Sequence, residues 1–148
     1  MDKLWRLMQD EIEAIPDGRA QIIVLHLYCE LFLEELIKAK VEKPNEIDFE
    51  KWNFPRKHEL AYAMGLVDKT MNEDMKKLNI IRNQYAHNLQ PNMSKVEKEL
   101  RNLSNYPPEK IAKKLSEYAR LRYAIYENLE LLLTHWWKIK GKHDFMLN

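Results

Sequence analysis

The sequence contains few of the residues that build disulfide scaffolds, phosphate-binding loops or membrane spans. Cys29 is the single cysteine among 148 residues, which excludes an internal disulfide framework and fits a reducing cytoplasm. Three scattered glycines exclude a glycine-rich loop that cradles phosphates. No signal-peptide pattern is visible, and the longest apolar run, Ile22 to Leu33, is interrupted by His26 and Glu30. We therefore expect a cytoplasmic protein without membrane association.

An excess of charge of either sign is also missing. The chain has 24 basic and 23 acidic residues, a net charge of +1. Proteins that bind long nucleic acids tightly are usually more basic, because their affinity comes from neutralising phosphates. Any RNA contact is therefore expected to be local, brief or shared between subunits. The five histidines and one cysteine lack the spacing of zinc ligands, so no metal or other cofactor is expected.

Apolar residues recur at helical spacing along most of the chain, and no run alternates as a half-buried strand does. The length and the 45% apolar content fit one domain spanning residues 1–148. Helices are predicted over residues 2–14, 19–40, 56–64, 70–89, 94–103 and 107–138. The pattern predicts an all-α, up-and-down bundle of five to six helices.

Short local signals set the predicted helix ends. Thr70 to Glu73 and Ser94 to Glu97 have the spacing of capping boxes, which open helices. Gly65 is expected to end the third helix as a C′ glycine. The pair Pro107-Pro108 is expected to start the last helix.

Three residues suited to cleaving RNA without a metal lie within six positions of the fourth predicted helix: Arg82, Asn83 and His87. Cleavage by the RNA's own 2′-hydroxyl needs groups that transfer protons and positive charge that stabilises the phosphorus intermediate. A histidine such as His87 suits proton transfer, since imidazole ordinarily titrates near neutral pH. Arg82 can hold two phosphate oxygens at once, and Asn83 can orient the phosphate or the histidine.

Helix geometry restricts how these residues meet. Residues five apart point about 140° away from each other, whereas Asn83 and His87, four apart, share a face. Arg82 and His87 therefore converge on one phosphate only if the helix frays or a second subunit contributes. The negative end of the helix dipole near His87 also repels phosphate, so extra cations are needed. A homodimer with a composite site, in which two copies of Arg82 meet, satisfies both requirements.

A purely structural interpretation of the motif stays open. His87 can interact with the last carbonyls of its helix, and Arg82 can be a solvated side chain at the edge of the apolar stripe. Against this, Arg82 lies in line with Leu78 and Tyr85, where a plain bundle favours an apolar residue.

Further residues are candidates for contacting the RNA around the motif. Cations stand close to aromatic residues before the third helix, where Trp52 offers a ring on which a base can stack. The substrate-binding candidates are Arg56, Lys57, Lys76 and Tyr85. The alternative is that Trp52 and Phe54 anchor their loop against the bundle and that Lys76 and Lys77 lie on a solvated helix face.

The segment from Phe54 to Val67, taken together with Leu78 to Leu89, resembles the HEPN superfamily. The defining feature is an arginine followed directly by asparagine, with a histidine five residues after the arginine. The preceding Gly65-Leu66-Val67 layout is similar to the branch that includes mannitol operon repressor-like proteins.

This resemblance implies an all-α bundle that dimerises with its two motifs facing each other across a cleft. It also implies a metal-independent endoribonuclease, a toxin or defence effector with an antitoxin or regulatory protein partner, and catalytic roles for Arg82, Asn83 and His87. One toxin subclass has a tyrosine two residues after the histidine. Leu89 occupies that position here, so regulation through that tyrosine is not expected. The repressor-like branch includes transcriptional regulators, so a non-catalytic regulator or protein-interaction module is the alternative.

Overall fold

The protein is an all-α bundle, as a computed structural model that describes residues 1–141 shows. Its helices are α1 (Asp2–Ala14), α2 (Gly18–Lys38), α3 (Phe54–Ala63), α4 (Lys69–His87), α5 (Met93–Arg101), α6 (Glu109–Ala112) and α7 (Glu117–Lys140). Two 3-10 turns, Pro44–Glu46 and Phe49–Lys51, lie between α2 and α3. Over the described range the chain forms no β-strand. The predicted all-α fold is confirmed.

The described chain has seven α-helices, against the five to six predicted. The difference comes from the segment after Pro107-Pro108, which was expected to begin the last helix. That segment forms only the short α6, and α7 starts after Ser116, whose hydroxyl accepts the N–H of Ala119 at 3.2 Å. A serine N-cap satisfies an otherwise unpaired N–H of the first turn, so it sets the start of the helix.

Two other helix starts also differ from the predicted capping boxes. The side chain of Asp68 caps α4 by accepting the N–H of Met71 at 2.8 Å, two residues before the predicted start. Likewise Asn92 caps α5 by accepting the N–H of Lys95 at 3.1 Å. Aspartate and asparagine are at least as good as serine or threonine at this position.

Gly65 ends α3 as predicted. Its φ of +71° is left-handed, a conformation that costs glycine nothing because it has no Cβ. Its N–H donates to the carbonyl of Tyr62, and the N–H of Leu66 donates back to Ala61, both at 2.9 Å. This pair of bonds is a Schellman motif, which satisfies carbonyls at the helix end.

The core is built around α2, which packs against α7, α3, α4 and α1. The largest fully buried apolar side chains come from several helices and include Leu25, Phe32, Leu36, Met75, Ile81 and Leu121. Because α2 crosses α4 inside the bundle, side chains of α2 reach the predicted motif. None of the helices in residues 1–141 is long and apolar enough to cross a membrane.

Candidate functional site

Arg82 lies on the face of α4 that packs against α2, with 26% of its side chain exposed. Its Nη1 donates to Oδ1 of Asn83 at 3.0 Å, and its Nε donates to Nδ1 of His26 at 3.5 Å. Its Nη2 is 3.9 Å from Oε1 of Glu30. The guanidinium is therefore held between the two helices, and part of it stays open to solvent.

His26 faces Arg82 as a neutral base. Its side chain is buried, and its ring centroid is 4.2 Å from that of Phe54. Burial, followed by the positive charge of Arg82 and that of His58, lowers the pKa of His26 to about 3. Nδ1 is thus free to accept the N–H of Arg82 at neutral pH, which leaves the ring proton on Nε2. Within the described chain that Nε2 is buried without a hydrogen-bond partner.

Glu30 joins Arg82 to a second, more deeply buried cation. Nζ of Lys57 is 2.8 Å from carboxylate oxygens of both Glu30 and Glu34, and only 4% of the Lys57 side chain is exposed. Burial by itself lowers the pKa of Lys57, but the hydrogen bonds to the two glutamates outweigh that effect, and the pKa is raised. Lys57 therefore offsets one of the two negative charges of the pair at hydrogen-bond distance. Arg82 touches Glu30 only at the loose distance of 3.9 Å, beyond a hydrogen bond.

His87 is the last residue of α4 and is exposed. The helix stays regular through His87, and the backbone becomes extended at Asn88, with φ −126° and ψ 129°. Among residues 1–141, no hydrogen bond joins the side chain of His87 to that of Arg82 or of Asn83. One chain thus brings Arg82 and Asn83 together but leaves His87 apart, as the 140° separation on a regular helix requires.

The end of α4 carries a cation that the sequence pattern did not predict. Arg19, in the first turn of α2, donates from Nε to the carbonyl of Tyr85 at 2.7 Å and from Nη1 to that of Leu89 at 3.2 Å. Its Nη2 donates to the carbonyls of Tyr85 and Asn88. A cation at a helix C-terminus offsets the negative end of the dipole. Part of the extra positive charge expected near His87 therefore comes from the same chain.

Gly18 makes this placement of Arg19 sterically feasible. A Cβ on Gly18 would lie 2.6 Å from Cδ2 of Tyr118, a distance that carbon atoms do not tolerate. The missing side chain lets the first turn of α2 approach the first turn of α7. Tyr118 in turn packs near Tyr85, with ring centroids 5.7 Å apart. The site end of α4 is therefore fixed from both α2 and α7.

The four candidates for RNA contact divide into two exposed and two buried residues. Arg56 is exposed, with its guanidinium carbon 4.0 Å from the ring centroid of Trp52, and Lys76 is exposed on α4. Lys57 and Tyr85 are buried. In this conformation neither buried side chain is placed to contact RNA. The alternative that Trp52 anchors its loop fits its half-buried packing against Phe49, at 5.2 Å between centroids.

An apolar surface on α2 borders the Arg82 site. Leu27 follows His26 in the chain and is 52% exposed, and Leu31, one turn later, is half-buried. Both line an open groove of about 670 Å³, to which Glu30 and Trp52 also contribute. Glu30 is therefore shared between this groove and the contact with Arg82.

In the part of the chain that the structure describes, no group of three or more His, Cys, Asp or Glu side chains is placed to hold a metal ion. Comparisons of the chain with protein-family models, with curated proteins and with solved structures find no match. A functional assignment therefore depends on the residues of the site and on their geometry.

Proposed function

We propose that this protein is a metal-independent endoribonuclease of the HEPN type, acting in the cytoplasm, with Arg82, Asn83 and His87 as its catalytic residues. The observation that carries the proposal is the state of Arg82. It is hydrogen-bonded to Asn83, partly exposed, and only loosely paired with Glu30, on the helix that ends at exposed His87. A phosphate that accepts two N–H groups of an arginine competes well with a carboxylate at 3.9 Å.

The proposed reaction is an internal transfer within the RNA. The 2′-oxygen attacks the adjacent phosphorus, its proton passes to a base, and the bond to the 5′-oxygen breaks as that oxygen receives a proton. Arg82 stabilises the negative charge of the crowded intermediate, and Asn83 orients the phosphate. His87 transfers protons. The products are a 2′,3′-cyclic phosphate and a 5′-hydroxyl end.

A second copy of the chain completes the proposed site, because Arg82 and His87 do not meet within one chain. The exposed Leu27, beside His26 on α2, supports an interface at this place, since burying a large apolar side chain favours association. In the dimer the Arg82 of each chain meets the His87 of the other, so one dimer has two such sites. From the HEPN resemblance we further infer a toxin or defence role and a protein partner, such as an antitoxin.

The test is incubation of the purified protein with structured and unstructured RNA in EDTA. Cleavage to 2′,3′-cyclic phosphate ends should be lost in Arg82→Ala and in His87→Ala. Two control variants, Arg6→Ala on an exposed face of α1 and His135→Ala on α7, should cleave normally. Cleavage that persists unchanged in folded Arg82→Ala or His87→Ala contradicts the proposal.

The second candidate function is a non-catalytic regulator or protein-interaction module built on the same scaffold. The separation of His87 from Arg82 within one chain favours it, as does the ion network of Glu30 and Lys57 beside Arg82. On this alternative, wild-type protein cleaves no RNA, and a folded His87→Ala variant binds a protein or operator partner as wild type does. Loss of partner binding in that variant argues against the regulator.

A further inference from the structure

Positive charge is concentrated in the part of the chain that contains α5 and α6. Residues 92–120 hold seven of the 24 basic residues but four of the 23 acidic ones, so the remainder of the chain is net negative. The seven are Lys95, Lys98, Arg101, Lys110, Lys113, Lys114 and Arg120. Local charge of this kind attracts phosphates even when a whole protein is nearly neutral.

A pocket of about 550 Å³ opens in this basic region, between the end of α5, α6 and the start of α7. Its volume lies in the range of about 300–1,000 Å³ typical of ligand sites. The walls combine three cations and one carboxylate with one aromatic ring and apolar groups, and consist of Arg101, Tyr106, Pro107, Glu109, Ala112, Lys113, Leu115 and Arg120.

Tyr106 is held in this pocket by a fixed network. Its hydroxyl accepts a hydrogen bond from Nη1 of Arg120 at 3.0 Å. Arg120 is 14% exposed and forms a two-pronged pair with Glu97, with N–O distances of 2.6 and 3.2 Å. The hydrogen bond from the Arg120 guanidinium is the main cause that lowers the pKa of Glu97, so the Glu97 carboxylate that anchors Arg120 stays ionised. A half-buried aromatic ring anchored in this way is a preformed surface for a stacked base.

Two cations at the edge of the pocket are available for phosphates. Arg101 is largely exposed, donates from Nε to Glu97 at 2.8 Å, and has its guanidinium carbon 6.0 Å from the Tyr106 centroid. Lys113 is exposed and pairs with Glu109, itself exposed, at 3.4 Å. The Lys113–Glu109 pair is exposed on both sides and contributes little energy, so a phosphate can replace that carboxylate at small cost.

The pocket is connected to the end of α4 by short structural links. The N–H of Asn92, just before α5, donates to Oε1 of Gln84 at 3.0 Å, and the hydroxyl of Tyr85 donates to Glu117 at the start of α7. Arg101 lies at the far end of α5, a helix of nine residues and hence about 14 Å long. A strand of a few nucleotides spans such a distance.

We propose that this pocket binds a segment of single-stranded RNA, with a base stacked on Tyr106 and phosphates on Arg101 and Lys113. The inference rests on the proposed function in taking RNA as the ligand. It adds a contact that holds the substrate away from the reacting phosphate. A local site of this kind also explains how a protein of net charge +1 grips RNA.

The experiment measures binding of a fluorescent single-stranded 12-nucleotide RNA in EDTA by anisotropy, with the full-length His87→Ala protein as background so that cleavage does not interfere. Tyr106→Leu should weaken binding about tenfold or more, because stacking on an aromatic ring is lost, whereas Tyr106→Phe keeps the ring and should stay within about twofold. Circular dichroism establishes that each variant is folded.

The phosphate contacts are tested by the salt dependence of the same binding. Arg101→Gln with Lys113→Gln should lower the slope of log affinity against log salt by about 1.4, since each phosphate contact with a single strand contributes about 0.7. A matched pair of exposed lysines outside the segment, Lys3→Gln with Lys40→Gln, should leave the slope unchanged.

The proposal is overturned if the Tyr106→Leu protein binds the oligonucleotide as tightly as the Tyr106→Phe protein does. It is also overturned if the His87→Ala background protein does not bind RNA. Adenosine monophosphate that binds as tightly as the oligonucleotide overturns the assignment to RNA in favour of a free nucleotide. Binding with the expected losses, in a protein whose wild type does not cleave RNA, supports the pocket and contradicts only the nuclease.

Discussion

Nε of Arg19 donates a hydrogen bond to the backbone carbonyl of Tyr85 at 2.7 Å, joining the first turn of α2 to the last turn of α4. The two residues are 66 positions apart in the chain. Arg19 also reaches the carbonyls of Asn88 and Leu89, so one guanidinium closes the helix end that carries His87. The position of His87 therefore depends on a residue of another helix.

Arg19→Ala should loosen the end of α4. Charge-assisted hydrogen bonds contribute about 1.5–3 kcal/mol each when well shielded, and this partly exposed cap should contribute about 1–2 kcal/mol in total. Amide hydrogen exchange should accelerate at residues 85–87 and stay unchanged at the start of α4. Arg19→Lys should recover only part of the effect, because an ammonium lacks the planar fork. Unchanged exchange at these amides in Arg19→Ala would show that the cap does not hold the helix end.

Stability should fall in acid because His26 is buried in its neutral form. Its folded pKa of about 3 lies below the ordinary 6.5, so between these values the unfolded chain binds a proton that the folded chain does not. The free energy of unfolding should then drop by up to about 1.4 kcal/mol per pH unit as the pH falls from 6.5 towards 3. Buried His58, whose pKa burial also lowers, adds to the loss.

The contribution of His26 is isolated with His26→Leu. Urea denaturation at pH 7 and pH 5 should show a smaller loss of stability in the variant than in the wild type. The difference between the two proteins should be on the order of 1–2 kcal/mol. An identical pH dependence in both proteins would mean that His26 is not the buried neutral group described above.

Lys57→Met should destabilise the fold because it leaves Glu30 and Glu34 without their buried cation. Breaking a buried ion pair typically costs about 3–5 kcal/mol, and the partial exposure of the two glutamates puts this case at the lower end. The triple variant with Glu30→Gln and Glu34→Gln should recover most of the loss in urea denaturation. Lys76→Ala, which removes an exposed pair with Glu73, is the control and should leave the stability nearly unchanged.

Leu27→Asp should disrupt the proposed homodimer and lower RNA cleavage with it. Leu27 is 52% exposed beside the Arg82 site, and an aspartate there would place a charge in an apolar interface. Leu131→Asp is a matched control, since Leu131 is 44% exposed on α7. Sedimentation equilibrium should give a monomer only for Leu27→Asp. If the Leu27→Asp and Leu131→Asp proteins form assemblies of the same mass in solution, α2 does not form the interface.

Helical periodicity was sufficient to predict the all-α fold, because apolar spacing directly reflects which side chains face the core. Periodicity does not show where a helix starts when two residues nearby are both good N-caps, as Asp68 and Thr70 are. The double proline also misled, since proline fits the first turn of a helix and the connection before one equally well. The later start of α7 is set by the local N-cap of Ser116, which competes with the proline pair as a signal for the start of the helix.

The sequence pattern reached only those parts of the candidate site that are neighbours in the chain. Arg82 and Asn83 are adjacent in the chain, and a hydrogen bond joins their side chains. His26 and Arg19 reach α4 from more than 50 positions away, and no local pattern marks such contacts. Lys57 is a substrate-binding candidate by sequence, but it pairs inside the bundle with two glutamates one turn apart on α2, which no local pattern marks.

The most direct measurement of the central claim, a composite site made from Arg82 and His87, mixes the two inactive variants. Arg82→Ala and His87→Ala proteins are combined, unfolded and refolded together, and assayed on RNA in EDTA. Half of the dimers then contain one chain of each kind, and each of these has one intact site of two. The account predicts about a quarter of wild-type cleavage. A mixture no more active than either variant alone would contradict it.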